Sequence, residues 1–343
     1  LYTAASGLIG GTPFRFSPHS KAERGFRLAG DEDAAILVPR IASAVTLDAS
    51  ETVEHAFRNV LRSCLDQIAH NRMAILAGDA PEGPHQLRIG LRRLRSAFRL
   101  FKPVLNPRTF LDLDAAAKTL ATQAGKLRDL DVLADEIVAP LAEQVPEGLV
   151  LEPLLKHLAG LRVACRSELM ASLEDPKVNE FLFGLAAYTE GRGWLDAENF
   201  DQTTLLAAPV AKQARKALEK QWKRAAKFGA RVDDLTVPER HEMRKALKKL
   251  RYGAEFFGSL YPKEDAKPFL KRLKKLQDIF GYLNDVAMAE KLLQISGPKG
   301  PGAVAAAQAT GYAIGWHGAQ SNHMWGHAKA YWSDTKSVPK YWR

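Results

Sequence analysis

The sequence is poor in cysteine and has no long apolar run. Its two cysteines, Cys64 and Cys165, have no second Cys and no His nearby at metal-ligand spacing. This scarcity argues against a disulfide scaffold and against a zinc site, and we expect free thiols in a reducing cytoplasm. No apolar run approaches the about 18 residues that a membrane-spanning helix needs, and no signal peptide is evident, so we expect no membrane insertion.

Sequence motifs of common enzymes are also missing. The chain has no Gly-rich phosphate loop ending in Gly-Lys-Ser/Thr, no His-Glu-x-x-His and no dense carboxylate cluster for a metal ion. His323 and His327 have the spacing of a metal pair but no carboxylate nearby, so we favour packing and surface roles for them and for His317. We therefore expect a non-catalytic protein without a cofactor or a metal ion.

Negative charge is the minority sign in this chain. There are 49 Lys and Arg against 39 Asp and Glu, which gives a net charge of +10. The excess is confined to residues 210–291, which hold 21 basic and 11 acidic residues. Segregated positive charge favours an anionic partner, such as a nucleic acid, a phosphate polymer or an anionic membrane. The alternative interpretation of charge alone is a solvated basic surface.

The hydrophobic pattern is helical almost throughout. Apolar residues recur at helical spacing, strand-like alternation is nearly absent, and Gly and Pro mark the breaks. The pattern predicts an all-α protein of helical bundles. We expect residues 1–48 to form a linker, Ser50 to cap the first helix, and residues 336–343 to form a C-terminal tail. The predicted helices cover residues 50–77, 85–101, 109–137, 149–173, 177–190, 203–228, 239–258, 264–293 and 303–332.

The chain contains an internal repeat at an offset of 156 residues. Residues 85–101, "HQLRIGLRRLRSAFRLF", align with residues 241–257, "HEMRKALKKLRYGAEFF", with six identities. At the same offset, residues 118–132 align with residues 274–288 without a gap. Two separate matches at one offset predict two similar helical bundles in tandem. We place the first bundle at residues 49–195 and the second at residues 196–335.

Each repeat carries a row of basic residues on one side of a helix. At about 100° per residue, spacings of 3 and 4 place such residues in a line. The first basic stripe consists of His85, Arg88, Arg92, Arg95 and Arg99. The second basic stripe consists of His241, Arg244, Lys248 and Arg251, and Glu255 replaces its fifth member. Apolar residues beside each stripe are expected to pack into the bundle, whereas Arg93 lies off both rows and is expected to face water.

The like charges of a stripe need a counter-charge or a ligand. Like-charge pairs at helical spacing cost about 0.2–0.5 kcal/mol each. Asp129 and Asp285, equivalent in the repeat, are expected to hold basic side chains, with a chemical role as the alternative. His85 and His241 either hydrogen-bond their loops or donate to phosphate, and one ring can do both. Further candidates for anion contact are Lys118, Lys126, Arg128, Lys216, Lys220, Lys271, Lys274 and Lys275.

Together with "GKLRDLDV" and "GYLNDV" downstream of them, the two long motifs resemble the CHAD domain, over roughly residues 50–335. The resemblance implies two four-helix bundles related by a pseudo-twofold axis, and a non-catalytic basic surface that binds inorganic polyphosphate. We expect a cytoplasmic location, with polyphosphate granules as a candidate place of association. The resemblance also suggests an upstream CYTH triphosphatase domain, of which residues 1–10 would be a remnant. The Glu-x-Glu-x-Lys signature of that enzyme is absent, so we expect no such activity.

Nucleic acid is the alternative partner. Single-strand binders place aromatic side chains along the groove for base stacking. The stripes carry none; Tyr252, beside the second stripe, is the one candidate, and packing is the favoured role for it. A duplex binder needs a helix that reaches a groove, which helices packed in bundles serve poorly. We therefore predict binding of inorganic polyphosphate by the stripes of both bundles, which would line a shared groove or channel.

Overall fold

The computed structural model describes residues 14–17, 19–30, 38–196, 198–295 and 297–343. These residues form no strand, and an isolated antiparallel bridge joins Thr52 to Pro209. The predicted all-α class is therefore confirmed. The α-helices of this part of the chain are α1 (Lys21–Ala29), α2 (Val53–Ala77), α3 (Glu82–Phe101), α4 (Leu111–Asp131), α5 (Glu152–Glu174), α6 (Pro176–Glu190), α7 (Phe200–Ala207), α8 (Val210–Gly229), α9 (Val237–Phe257), α10 (Lys263–Ala289) and α11 (Ala303–Ser337).

Two compact units make up the molecule. Unit 1 contains the described residues up to Lys126 together with Ser167–Ala214 and Glu255–Leu260. In its core the ring of Phe57 packs against Phe101 and Trp194, with centroids 4.8 and 5.0 Å away. All three side chains are fully buried. Aromatic burial of this size gives the helices of unit 1 a shared apolar centre.

Unit 2 contains Leu127–Arg166, Arg215–Ala254 and the described residues from Tyr261 to Arg343. At one end of its core Trp222 stacks on Trp332 with a centroid distance of 5.3 Å. Elsewhere Val132, Leu133, Ile137 and Val138 pack into a second buried cluster. Those residues form a π-helical turn, Val132–Val138, which continues α4 and accounts for the longer helix predicted over 109–137.

The two units do not coincide with the two halves of the sequence. Helices α4, α5, α8 and α9 each contribute residues to both units. These helices continue without a break through residues 126, 166, 214 and 254, so the units interleave along the chain. This division differs from the predicted bundles at 49–195 and 196–335. The tandem repeat of two four-helix bundles stays a prediction.

Part of the predicted linker is packed into unit 1. Leu47 is buried, its N–H donates to Ser259 Oγ at 2.8 Å, and the same hydroxyl donates to the Leu47 carbonyl. Thr52 caps α2, because its side chain accepts from the N–H of His55. The predicted cap, Ser50, is wrong, since the Ser50 hydroxyl donates to Asp48 instead. The proposed upstream remnant at residues 1–10 lies outside the described residues.

The helix predicted at 203–228 is divided into α7 and α8 at Ala208 and Pro209. Here the chain is extended: the N–H of Val53 donates to the Ala208 carbonyl at 2.9 Å, and that of Val210 donates to the Glu51 carbonyl at 2.8 Å. Proline lacks the N–H that a continuous helix needs at this point. The break anchors the start of α8 beside the start of α2.

The predicted C-terminal tail is packed into unit 2. Trp342 is 1% exposed, and its indole N–H donates to Glu219 Oε2 at 3.1 Å. Lys340 and Arg343 pair with the same carboxylate, at 3.2 and 3.3 Å. Residues 338–343 therefore close the core of unit 2 rather than trailing from it.

Candidate functional site

The first basic stripe lies along one side of α3 in unit 1. Helix α3 begins at Glu82 rather than at the predicted His85, with Pro84 in its first turn, where proline is tolerated. Residues Leu87, Leu91 and Leu94 of the neighbouring apolar stripe are fully buried. The basic side is less covered: His85, Arg88, Arg92 and Arg95 are half-buried, and Arg99 is exposed to solvent on one side while protein surrounds the rest of its guanidinium.

Two contacts place the first basic stripe against α4. A Cβ added to Gly125 would lie 3.4 Å from Nε of Arg88, so the guanidinium of Arg88 crosses directly over this glycine. At the other end of the stripe, Arg95 donates to Asp114 through Nε at 2.9 Å and Nη2 at 3.3 Å. The glycine and the aspartate thus fix the positions of two arginines in the row.

The remaining arginines of the row are crowded by like charge. Burial, and then the neighbouring Arg95, lowers the pKa of Arg99, while Asp114 opposes this effect and Arg92 adds to it. An arginine stays protonated at neutral pH even so. Arg92 and Arg99 form no ion pair with any described residue. A polyanion laid along the stripe would relieve this repulsion.

Helix α4 adds further cations near the stripe. Lys118 and Lys126 belong to unit 1 and are exposed. Arg128 belongs to unit 2, where it pairs with Glu136, so its positive charge is already neutralised. Seven of the predicted site residues therefore belong to unit 1, and Arg128 is not one of them.

Arg93 is buried, which corrects the prediction that it faces water. Its side chain donates to Gln67 Oε1 at 2.8 Å and to Ser63 Oγ at 3.1 Å, and its guanidinium lies 5.3 Å from the ring centroid of Phe256. Gln67 in turn donates to Gln86 at 3.0 Å. Arg93 is thus a structural cation next to the stripe, held by a polar network inside unit 1.

The second basic stripe lies along α9 in unit 2. His241 and Arg251 are exposed, and Arg244 and Lys248 are half-buried. Partial burial, followed by the charges of Lys245 and Arg244, lowers the pKa of His241 from 6.5. The ring is therefore mainly neutral at pH 7, with one donor and one acceptor nitrogen. Lys245 was missed by the stripe pattern, although its position four residues after His241 was visible in the sequence.

The neighbouring lysines of unit 2 point to solvent. Lys216 and Lys220 on α8 are exposed, as are Lys271, Lys274 and Lys275 on α10. Among these, Lys275 lies with Nζ 5.6 Å from the ring centroid of Tyr331, at cation–π distance. The two repeats also differ here: a Cβ at Gly281 would meet nothing within 4 Å, unlike one at its counterpart Gly125.

Three other predicted roles have clear outcomes. Asp129 does hold a basic side chain, since its carboxylate is 2.9 Å from Nζ of Lys291, a residue outside both stripes. The side chain of Asp285 lies outside the described part of the chain. Tyr252 is buried, as expected of a packing residue. His317 is buried too, with Nε2 2.8 Å from the carbonyl of Ile137.

His323, His327 and the two cysteines are not part of a metal-binding cluster in the described residues. His323 and His327 are exposed, with their Nε2 atoms 3.3 Å apart. Within the described ranges no three His, Cys, Asp or Glu side chains are grouped to hold a metal ion. Both cysteines are free; burial raises the pKa of the Cys64 thiol to about 11, so it is not a reactive thiolate. No helix in the described segments is both long and apolar enough to cross a bilayer.

The fold and these faces define an all-helical protein with a cation-rich helix side in each of its two units. A family model for the CHAD domain matches residues 59–294. The chain belongs to the CHAD domain family.

Solved structures agree with this assignment. The chain is similar to the crystal structure of the CHAD domain from the plant Ricinus communis, with a TM-score of 0.73 and 29% identity over 88% of this chain and 98% of that one. It also shares its fold with PptA from Streptomyces chartreusis, at a TM-score of 0.55 and 14% identity over 83% of this chain and 99% of that one. No curated protein matches the sequence.

Proposed function

We propose that this protein binds inorganic polyphosphate through its basic stripes and does not cleave it. The observation that carries the proposal is the row of arginines in unit 1. Arg92 and Arg99 have no ion-pair partner among the described residues, and the pKa of Arg99 is lowered by burial and by Arg95. Such a row is stabilised by a ligand that offers negative charges in a line.

A phosphate chain matches the chemistry of the stripes. Arginine forks pair with two phosphate oxygens at once, and lysines act as point charges. Side chains three and four residues apart on a helix are about 5–6 Å apart, so the stripe offers closely and regularly spaced donors. A base-stacking ligand would need an aromatic surface, and Tyr252 is buried. This contrast favours polyphosphate over nucleic acid.

The second stripe is proposed to bind in the same way from unit 2. Arg251 is exposed, and Arg244 and Lys248 are half-buried, so each side chain has surface available to a ligand. His241 would donate one N–H to phosphate while neutral. The prediction that both stripes line one groove or channel stays a prediction, and the proposal requires only that each stripe binds.

Calorimetric titration tests the ligand class. Long-chain polyphosphate is titrated into the protein at about 0.15 M salt, with duplex DNA and single-stranded RNA in parallel. We expect binding of polyphosphate, with affinity for both nucleic acids weaker by about 100-fold or more. Equal affinity for all three polymers would show only a basic surface. Release of inorganic phosphate during prolonged incubation would contradict the non-catalytic part of the proposal.

A matched pair of variants tests the site. Arg92→Gln combined with Arg99→Gln removes two charges from the first stripe. Arg108→Gln combined with Lys177→Gln removes two exposed charges from other segments of unit 1. We expect the stripe variant alone to lose affinity, with the circular dichroism of both variants unchanged. Equal losses would assign binding to net charge rather than to the stripe.

A further inference from the structure

A pocket in unit 2 opens beside the second basic stripe. It is formed by α9, α10 and α11 and has a volume of about 470 Å³. Pockets for small organic ligands are typically about 300–1,000 Å³, so this one has room for a group the size of a nucleoside. The lining includes His241, Arg244, Phe280, Leu283, Glu290 and Gly318.

The pocket and the stripe share two residues. His241 and Arg244 line the pocket and are also the first two members of the second basic stripe. From Arg244 the stripe continues along α9 to Lys248 and Arg251, about 10 Å further at 1.5 Å per residue. A single ligand can therefore occupy the pocket with one end and follow the stripe with the other.

Apart from Arg240 and Ser321, the rest of the lining is apolar or acidic. Phe280, Leu283 and Val286 present apolar walls, which offer no hydrogen bonds to phosphate oxygens. Glu242, whose Oε1 lies 2.8 Å from Nζ of Lys245, and Glu290 add carboxylates, which accept hydrogen bonds from hydroxyl and amino groups. This lining fits a group with an apolar face and hydrogen-bond donors.

An aromatic ring is the apolar group that the pocket suits. The ring of Phe280 is 2% exposed and packs edge-on against Trp325, with centroids 5.8 Å apart. Arg240, also in the lining, lies 3.9 Å above the ring of Trp325 and donates through Nε to the Leu235 carbonyl. These contacts hold the wall in place before a ligand arrives, which reduces the entropic cost of binding.

We propose that the pocket receives the nucleoside end of a nucleoside oligophosphate, whose phosphate chain lies on the second basic stripe. The proposal rests on the phosphate-binding function proposed for that stripe. It extends the ligand class from inorganic chains to chains with a nucleoside at one end. Glu242 and Glu290 would accept hydrogen bonds from the amino and hydroxyl groups of the nucleoside.

The test compares two ligands with the same number of phosphates. Adenosine 5′-tetraphosphate and inorganic tetraphosphate are titrated into the full chain by calorimetry. We expect the nucleoside to improve affinity about tenfold or more, because the pocket removes the apolar face of the base from water. Gly318→Leu places a side chain into the pocket, and a Cβ there would meet nothing within 4 Å, so the helix tolerates it.

Gly311→Leu is the matched control. Gly311 lies on the same helix, is exposed, and also has open space at its Cβ position, but it does not line the pocket. We expect Gly318→Leu to abolish the preference for the nucleoside without weakening tetraphosphate, and Gly311→Leu to preserve it. Equal affinities in the unmodified protein, or a preference that survives Gly318→Leu, would overturn the pocket assignment.

The outcomes also separate the two proposals. If long-chain polyphosphate binds but the protein shows no preference for adenosine tetraphosphate over inorganic tetraphosphate, only the pocket inference is overturned. Adenosine tetraphosphate that binds while no inorganic chain does would remove the proposed function of the stripe. Octyl phosphate is a third ligand to compare. If it binds more tightly than adenosine tetraphosphate, and Gly318→Leu abolishes its binding, the pocket accepts an aliphatic group and the nucleoside proposal is overturned.

Discussion

Arg95 and Asp114 join α3 to α4 through two parallel hydrogen bonds, from Nε to Oδ1 at 2.9 Å and from Nη2 to Oδ2 at 3.3 Å. Arg95 is a member of the first basic stripe, so the carboxylate removes one positive charge from the row. The pair both fixes the helix contact and reduces the charge available to a ligand.

Asp114→Asn is expected to strengthen polyphosphate binding severalfold, because it releases the charge of Arg95 to the ligand. It should also lower the free energy of unfolding by about 1 kcal/mol, the upper range for a pair of limited burial. Calorimetry and chemical denaturation measure the two effects. Asp112→Asn, in the same first turn but exposed and outside the pair, is the control. An equal gain in the control would mean that only net charge matters.

Salt should weaken binding in proportion to the number of phosphates contacted. For linear polyanions the slope of log affinity against log salt is negative, and each phosphate contact makes it steeper by about 0.7–0.9. Replacing Arg92 and Arg99 with Gln removes two contacts and should therefore make this slope shallower by about 1.4–1.8. Titrations at several salt concentrations give the slope directly. An unchanged slope would show that these two arginines do not touch phosphate.

Adjacent Arg92 and Arg93 should give opposite results. Arg93→Gln removes donors to Gln67 and Ser63 inside unit 1, so it should cost about 1–3 kcal/mol of stability, the usual penalty for unpaired buried polar groups. Arg92→Gln should leave stability within about 0.5 kcal/mol, because Arg92 is half-buried and forms no ion pair with a described residue, but it should weaken binding. Denaturation and calorimetry on both variants test this, and a stability loss at Arg92 would contradict the placement of its side chain.

His70 should make unit 1 sensitive to acid. Its Nε2 donates to the Val38 carbonyl at 2.8 Å, and its buried Nδ1 has no hydrogen-bond partner in the described chain. Burial is the main cause that lowers the pKa of His70 from 6.5; Arg40 and His19 add to the effect, and Val38 and Asp66 oppose it. Below pH 6.5 the His70 ring is protonated in the unfolded chain but stays neutral in the folded chain. The free energy of unfolding therefore decreases as the pH decreases through that range.

Thermal unfolding between pH 7 and pH 5 measures this effect. His70→Gln retains an N–H donor for Val38 and does not titrate, so its stability should depend less on pH, by at most about 1.4 kcal/mol per pH unit. His323→Gln, at an exposed position in unit 2, should retain the full dependence. If stability depends on pH equally in the unmodified protein and in both variants, groups other than His70 cause the acid sensitivity.

The helices were largely predictable because their breaks carry Gly or Pro and their faces carry an apolar stripe. The division at Ala208 and Pro209 was missed, even though Pro209 itself was a signal. What holds the break open is the backbone pairing of residues 51 and 53 with residues 208 and 210, which are far away in sequence. The pattern of one segment carries no information about such a partner.

The stripes were predictable as directions on a helix, but their surroundings were not. A helical projection gives the side of α3 on which Arg93 lies. It does not show that Gln67 and Ser63 of α2 accept hydrogen bonds from Arg93 there. It likewise gives no sign that Asp114, nineteen residues later, would pair with Arg95. The pocket beside His241 needed three helices to be placed together, so no spacing within one motif indicates it.

The interleaving of the two units has a consequence for how the molecule can be divided. The shortest continuous piece that holds all the described segments of unit 1 extends to Leu260, and the one that holds unit 2 starts at Leu127. These pieces share residues 127–260, so no single cleavage of the chain leaves both units intact. A fragment that ends before Leu260 lacks residues of unit 1, and one that begins after Leu127 lacks residues of unit 2. The two basic stripes therefore cannot be separated onto two intact units by dividing the chain once.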